Sequence, residues 1–205
     1  MTDSIAGVGD VSRETFDRLE AYQALVRKWN PAINLVSRNS LDQMWERHIL
    51  DSAQVFALKD RETGLWADLG SGGGFPGLIA AILAAERSPG LRIALVESDQ
   101  RKAAFLATAA RTLDLEVVVH ATRIESLPPL GADILSARAL APLTDLLGHA
   151  ERHLAPGGSA LFPKGANHAA ELRQALESWR FSYQTHESAT DPDAVIYSIR
   201  GLSRA

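Results

Sequence analysis

Asp68-Leu69-Gly70-Ser71-Gly72-Gly73-Gly74-Phe75-Pro76-Gly77 is the stretch whose reading decides the fold of this chain. An apolar run at 65–69 precedes it, and a segment with helical apolar spacing at about 76–87 follows it. Glycines between a strand and a helix let the backbone turn sharply and come close to a ligand. Pro76 suits the first turn of the helix, where its missing N–H would find no intrahelical partner anyway. Working outward, further apolar runs lie at 91–97, 116–120, 132–137 and 159–163. Between them lie helical stretches at about 99–113, 143–154 and 167–178. This alternation predicts βα units around a parallel sheet covered on both faces.

The two flanks differ from this middle. At the C-terminal end, residues 181–187 and 194–200 alternate apolar and polar around Asp191-Pro192-Asp193, which predicts an antiparallel hairpin. At the N-terminal end, residues 1–10 are small and polar and are expected to be frayed. From Ser12, Phe16, Leu19, Tyr22, Leu25, Val26 and Trp29 recur at helical spacing, and Asn30-Pro31 is expected to end that helix. Ser40 with Gln43 reads as a capping box opening a second helix. The expected layout is a helical extension over 1–58 and a Rossmann-like core over 59–205. The core would hold a seven-stranded, mostly parallel sheet completed by the hairpin.

The glycine loop admits two ligands. Gly72, Gly74 and Gly77 form G-x-G-x-x-G, the dinucleotide fingerprint of nicotinamide-dependent oxidoreductases. Asp68, Gly70, Gly72 and Gly74 form the acidic-x-G-x-G-x-G loop of methyltransferases that use S-adenosylmethionine. A carboxylate at the strand end suits a sulfonium or ammonium and would repel a pyrophosphate, so the methyl donor is the favoured ligand. Glu97 ends the next apolar run and stands where a carboxylate would accept hydrogen bonds from ribose hydroxyls. Arg123-Ile124-Glu125 follows the third run, where Ile124 would pack on adenine and backbone groups or Glu125 would reach its amino group.

Bulk properties narrow the setting. A hydrophobic share of 46% and a charged share of 22% suit a soluble globular protein. The net charge of −4 means that any nucleic-acid contact must be a local basic patch. Met1 to Asp10 lack a signal-peptide pattern, and no apolar stretch is long enough to span a bilayer. The expected location is the cytoplasm, without a membrane partner. The chain has no cysteine, which excludes a thiolate metal site and methylation of pyrimidine C5 through a cysteine adduct. No metal is expected.

Methylation of an exocyclic amine usually relies on an Asn/Asp-Pro-Pro-aromatic segment after the fourth strand. Here that place holds Ser136-Ala137-Arg138-Ala139-Leu140-Ala141-Pro142-Leu143, with an arginine and no acceptor cluster. An acceptor that loses no proton fits, and guanine N7 is one, with an in-plane lone pair that can attack directly. Such transfer needs alignment and exclusion of water rather than a base. Arg138 would then hold guanine O6, a phosphate or the donor's carboxylate.

At these residues the sequence resembles the small-subunit ribosomal RNA methyltransferase G family (RsmG, also called glucose-inhibited division protein B, GidB). The matching stretches are Trp29-Asn30 with Ile33-Asn34-Leu35, Arg47-His48-Ile49-Leu50-Asp51-Ser52, Asp68 to Gly77 and Glu97-Ser98. Further on come Arg101-Lys102, Phe105-Leu106, Arg123 to Glu125, Ser136-Arg138-Ala139, Ala141-Pro142-Leu143, Pro156-Gly157-Gly158 and Lys164-Gly165. The resemblance implies N7-methylation of guanine 527 in the 530 loop of 16S rRNA, with the 30S subunit or a precursor as partner and a monomer as the acting species. It implies donor contacts at Gly70, Phe75, Ile124, Glu125 and Arg138. It also suggests that His48, at the junction of extension and sheet, orients Asp51. Arg101, Lys102, Arg111 and Arg123 are candidate RNA contacts. Lys164, at the end of the fifth run, is expected to meet a phosphate and with Arg138 to position the acceptor. A donor-binding assembly factor without catalysis is the remaining alternative.

Overall fold

The computed structural model describes residues 2–5 and 7–205. The chain starts with a hairpin, β1 (Thr2–Ile5) and β2 (Gly9–Ser12), followed by a long helix, α1 (Arg13–Ile33). Next come a single turn, α2 (Arg38–Leu41), a π-helical stretch at Trp45–Leu50, and α3 (Asp51–Ala57). The core runs β3 (Thr63–Leu69), α4 (Gly77–Arg87), β4 (Gly90–Val96), α5 (Gln100–Thr112), β5 (Val117–His120) and β6 (Ala132–Ala137). It continues with α6 (Leu143–His153), β7 (Leu154–Lys164), α7 (His168–Ser178), β8 (Trp179–Glu187) and β9 (Val195–Arg204).

The main sheet has the order β5-β4-β3-β6-β7-β9-β8, with β9 antiparallel to both neighbours and the other pairings parallel. From β3 the chain builds outward first through β4 and β5, then on the other side through β6 and β7. The carboxyl ends of β3 and β6 therefore flank the switch point, where open α/β sheets take their ligands. Consecutive residues feed opposite cores. Ile134, Leu161 and Ile196 pack with α1, α3, α4 and α5, whereas Leu135, Phe162 and Tyr197 pack with α6 and α7. That is the period of two expected of strands buried on both faces. Apolar residues of the extension, among them Leu19, Tyr22 and Met44, belong to the same cluster as Trp66 and Leu95 of the sheet. No helix among the described residues is long and apolar enough to cross a membrane.

Three sequence expectations at the N-terminal side are corrected. The start is not frayed where it is described: β1 pairs with β2, and Ile5 and Val11 are buried (Met1 and Ala6 lie outside the described residues). Pro31 does not end α1, which continues to Ile33. Proline there forgoes one hydrogen bond in the last turn, and the helix stops where Asn34 turns left-handed at φ 49°. Asn30 secures the exit by accepting the Val36 N–H at 2.8 Å. Ser40 caps no helix, because its hydroxyl lies inside α2 and donates to the Ser37 carbonyl.

Candidate active site

The glycine loop is held from below. Asp68 at the end of β3 is fully buried and stands in register with Ser136 of β6. Its Oδ1 accepts the Ser136 hydroxyl at 2.7 Å, and its Oδ2 accepts the Gly77 N–H at the start of α4. Burial pushes its carboxyl up to about 6, against hydrogen bonds from serines and Gly77 and the nearby Arg138 charge. This corrects the expected role. Asp68 braces the turn from inside and does not border the ligand space. It also occupies the α4 N-terminus, where a pyrophosphate would have to sit, so the dinucleotide reading loses its anchor. From the extension side, the buried Tyr22 hydroxyl of α1 donates to the Gly73 carbonyl. Gly70 and Gly72 turn left-handed at φ 65° and 56°, presenting backbone to the space above. Gly74 is also left-handed, and a Cβ there would strike the Tyr22 hydroxyl and Leu78.

Above the loop lies a cavity of about 490 Å³, bordered by Gly70, Gly72, Phe75, Glu97, Ile124, Glu125 and Arg138, with Lys102 and Arg123 at its edge. Leu35 and Val36, from the turn after α1, close it from the extension side. Glu97 is buried and fixed, accepting Gly72 N–H at 2.8 Å and Asp99 N–H at 2.7 Å. Each of its oxygens keeps a second lone pair for a ligand hydroxyl. The residues present thus fit a nucleoside amino acid: a carboxylate for a diol, Ile124 and Val96 for a base, glycine backbone and a guanidinium for an amino-acid end.

A second cavity, of about 470 Å³, adjoins the first and shares His48, Arg138 and Ala139 with it. Arg138 in this partition donates to Asp51 Oδ2 at 2.9 Å, to His48 Nδ1 at 2.9 Å and to the Arg47 carbonyl at 3.3 Å. Because a guanidinium only donates, His48 must accept at Nδ1 and carry its hydrogen on Nε2, which faces the Ser40 hydroxyl at 2.9 Å. Burial and the Arg138 charge lower the His48 imidazole to about 4, with Asp51 opposing, so it is neutral at physiological pH. Its ring stacks on Phe75 at 5.0 Å, and Arg138 lies 5.4 Å from the same ring. Asp51 Oδ1 in turn accepts Gln54 at 2.9 Å and Thr190 at 3.0 Å. The π-helical turn just before α3 adds a residue to the helical repeat, and His48 and Asp51 both reach Arg138. Ala139, next in the partition, takes a left-handed φ of 52°, a strained conformation of the kind that concentrates at functional sites.

The expected site residues separate accordingly. Gly70, Gly72, Phe75, Glu97, Ile124, Glu125 and Arg138 meet around one cavity, whereas Asp68 and Gly74 lie beneath it as supports. Lys164 borders the second cavity together with Arg138, where it donates to the Ala141 carbonyl and pairs with Glu171 at 2.6 Å, with 10% of its side chain exposed. Arg101 is solvated beside Asp99. Tyr22, Leu35, Ser40, Gln54 and Thr190 are not among the expected site residues. The Ile33-Asn34-Leu35 match was the one signal pointing toward any of them.

Comparison with known proteins agrees with this geometry. The profile of the family described as GidB, rRNA small subunit methyltransferase G, matches residues 15–195. The chain is 56% identical to the ribosomal RNA small subunit methyltransferase G of Cereibacter sphaeroides (strain ATCC 17025 / ATH 2.4.3), over 97% of this chain and 96% of that one. It is 58% identical to the protein of that name from Ruegeria pomeroyi, over 95% of each. Among solved structures, a predicted O-methyltransferase from Agrobacterium tumefaciens superposes with a TM-score of 0.54 at 22% identity, covering 74% of this chain and 81% of its own. M. jannaschii TYW2 in complex with AdoMet superposes with a TM-score of 0.57 at 12% identity, covering 83% and 78%. The fold is that of the class I methyltransferases, and the chain belongs to the rRNA small subunit methyltransferase G family.

Proposed function

We propose that the chain transfers the methyl group of S-adenosylmethionine to N7 of guanine 527 in the 530 loop of 16S rRNA, acting as a monomer in the cytoplasm on the 30S subunit or its precursor. When bound, the donor supplies an electrophilic methyl on a sulfonium. The chain's own residues bind, orient and keep out water. Glu97 holds the ribose diol, Ile124 and Glu125 the adenine, and Arg138 the amino-acid carboxylate, on a floor of glycine backbone.

The observation that carries this reading is that the partition offers no free base. His48 Nδ1 is occupied by Arg138, and the Asp51 oxygens are occupied by Arg138, Gln54 and Thr190. An acceptor that had to lose a proton would find the imidazole lone pair taken and the carboxylate already bound to the Arg138 guanidinium. Guanine N7 needs none, and its lone pair attacks in line with the departing sulfur. Lys102 and Arg123 at the cavity edge and Arg101 on the outer face of α5 are positioned for RNA phosphates.

Incubation with isolated small subunits and methyl-labelled donor should place label in 7-methylguanosine at position 527. Subunits carrying adenosine at that position should take up none. Label that persists after the replacement would reject the site. Donor binding without any transfer would instead support a non-catalytic assembly factor.

A further inference from the structure

A base in folded RNA must leave its stack to reach a methyl group held in a cavity. We propose that the second cavity receives the extruded guanine and that Asp191 binds its N1–H and N2–H edge. This rests on the guanine-N7 reading above. It adds the acceptor's seat and the residue that recognises it.

Placement is the first argument. Asp191 borders the second cavity and not the first, whereas His48, Arg138 and Ala139 border both. The N1/N2 edge of guanine lies across the purine from N7. A partner on the wall away from the donor therefore turns N7 toward the partition.

Hydrogen-bond capacity is the second. Three carboxylates border this cavity: Asp51, Glu171 and Asp191. Asp51 is held in an ion pair with Arg138, and its other oxygen accepts Gln54 and Thr190. Glu171 is held in an ion pair with Lys164 at 2.6 Å, and the same oxygen accepts the Leu143 N–H at 2.8 Å. Asp191 accepts one bond, from the Asp193 N–H to Oδ1 at 3.0 Å, and forms no ion pair among the described residues. It is half-buried, with lone pairs left for two N–H donors. Its position is fixed from behind, because the preceding residues are tied to α3. Ala189 N–H donates to Gln54 at 2.9 Å, Gln54 donates to Ser188 at 3.0 Å, and Thr190 donates to Asp51.

Charge is the third. On transfer the sulfur–methyl bond breaks and its electron pair stays on sulfur. The N7 lone pair forms the new bond, and the positive charge moves from sulfonium to purine. N1–H and N2–H become stronger donors as this happens, so a carboxylate on that edge binds the transition state more tightly than the ground state. Adenine, with a lone pair at N1, would be repelled.

The test is Asp191→Asn in the full chain, which keeps an oxygen for the Asp193 N–H. Small subunits are reconstituted with guanosine or inosine at the target, since inosine lacks the N2 amine. A hydrogen bond to a charged group is worth roughly a tenfold factor or more. Wild type should slow about tenfold on inosine, and Asp191→Asn should lose about 10- to 100-fold in kcat on guanosine. Its guanosine-to-inosine ratio should fall toward one, with donor affinity by calorimetry unchanged. A variant that keeps the wild-type ratio overturns the assignment. If wild type methylates an atom other than purine N7, the underlying reading fails first, and the site of the label shows which of the two has failed.

Discussion

The two adjoining cavities are built in opposite ways. The floor of the first cavity comes from one contiguous segment, 68–77, and its shape is a matter of backbone: left-handed glycines over a buried carboxylate, braced by one buried tyrosine of α1. The partition and the second cavity are assembled from side chains far apart in the chain. Asp51 meets Arg138 across 87 positions and Thr190 across 139. On the proposed reading, the donor's floor is set by local chain geometry, and acceptor recognition depends on the tertiary fold. Damage to the loop should appear first as lost donor affinity. Damage to the partition should appear as lost transfer rate and a loosened extension.

Arg138 is where that separation should fail, because it borders both cavities, and its removal should have the largest effect. Arg138→Ala leaves Asp51, only 17% exposed, without a counterion, and frees His48 Nδ1. Losing one partner of such a pair should cost about 2–4 kcal/mol in stability, and transfer should drop about 10²- to 10³-fold. Arg138→Lys should recover part of the stability and little of the rate, since an ammonium lacks the fork that spans Asp51 and His48. Urea unfolding beside a methyl-transfer assay measures both. A variant that lost rate alone, with stability intact, would break the view that this residue ties extension to sheet.

Gly74→Ala is the matching attack on the loop. The residue sits at φ 86°, and an added Cβ would meet Tyr22 and stand 2.9 Å from Leu78. Strain and collision together should cost about 2 kcal/mol, and calorimetry should show donor affinity lower by about tenfold or more. The cycle with Tyr22→Phe sharpens the comparison. Removing the hydroxyl deletes the bond to the Gly73 carbonyl, worth about 1 kcal/mol, and relieves part of the collision. The double variant should then lose less than the sum of the singles. Strict additivity would mean that the tyrosine does not press on the loop.

What could be read beforehand follows the same division. Sheet, helices and hairpin were legible because apolar periodicity is local, and the glycine loop because backbone demands select residue types at fixed spacing. The extension was read less well. A proline in the last turn of α1 looked like a stop, and a serine three residues before a glutamine looked like a cap, since neither pattern reveals its tertiary partner. Asp68 was read as a ligand contact because a carboxylate at a strand end carries no mark of burial. The ion pair of Lys164 could not be read, because its partner Glu171 lies on the helix that follows. His48 could be read only through the family resemblance, and Thr190 and Gln54 not at all, because their meaning lies in a contact that no spacing encodes.

The smallest expected effect is a pH dependence in which the two regions pull in opposite directions. His48 has a folded value of about 4 against an ordinary 6.5. As pH falls below 6.5 the unfolded chain takes up a proton that the native state refuses, and stability is lost down to about pH 4. Asp68 has a folded value of about 6 against an ordinary 3.8. As pH falls through 6 the native state takes up its proton first, and stability is gained down to about pH 3.8. Between pH 7 and pH 5 each contribution is on the order of 1–2 kcal/mol, with His48 discounted for its partial exposure, so they largely cancel. His48→Gln should leave the Asp68 contribution unopposed and lose less stability on acidification than wild type. Asp68→Asn should lose more. Urea unfolding at the two pH values reads the difference, and parallel slopes for wild type and both variants would show that neither group titrates as its surroundings require.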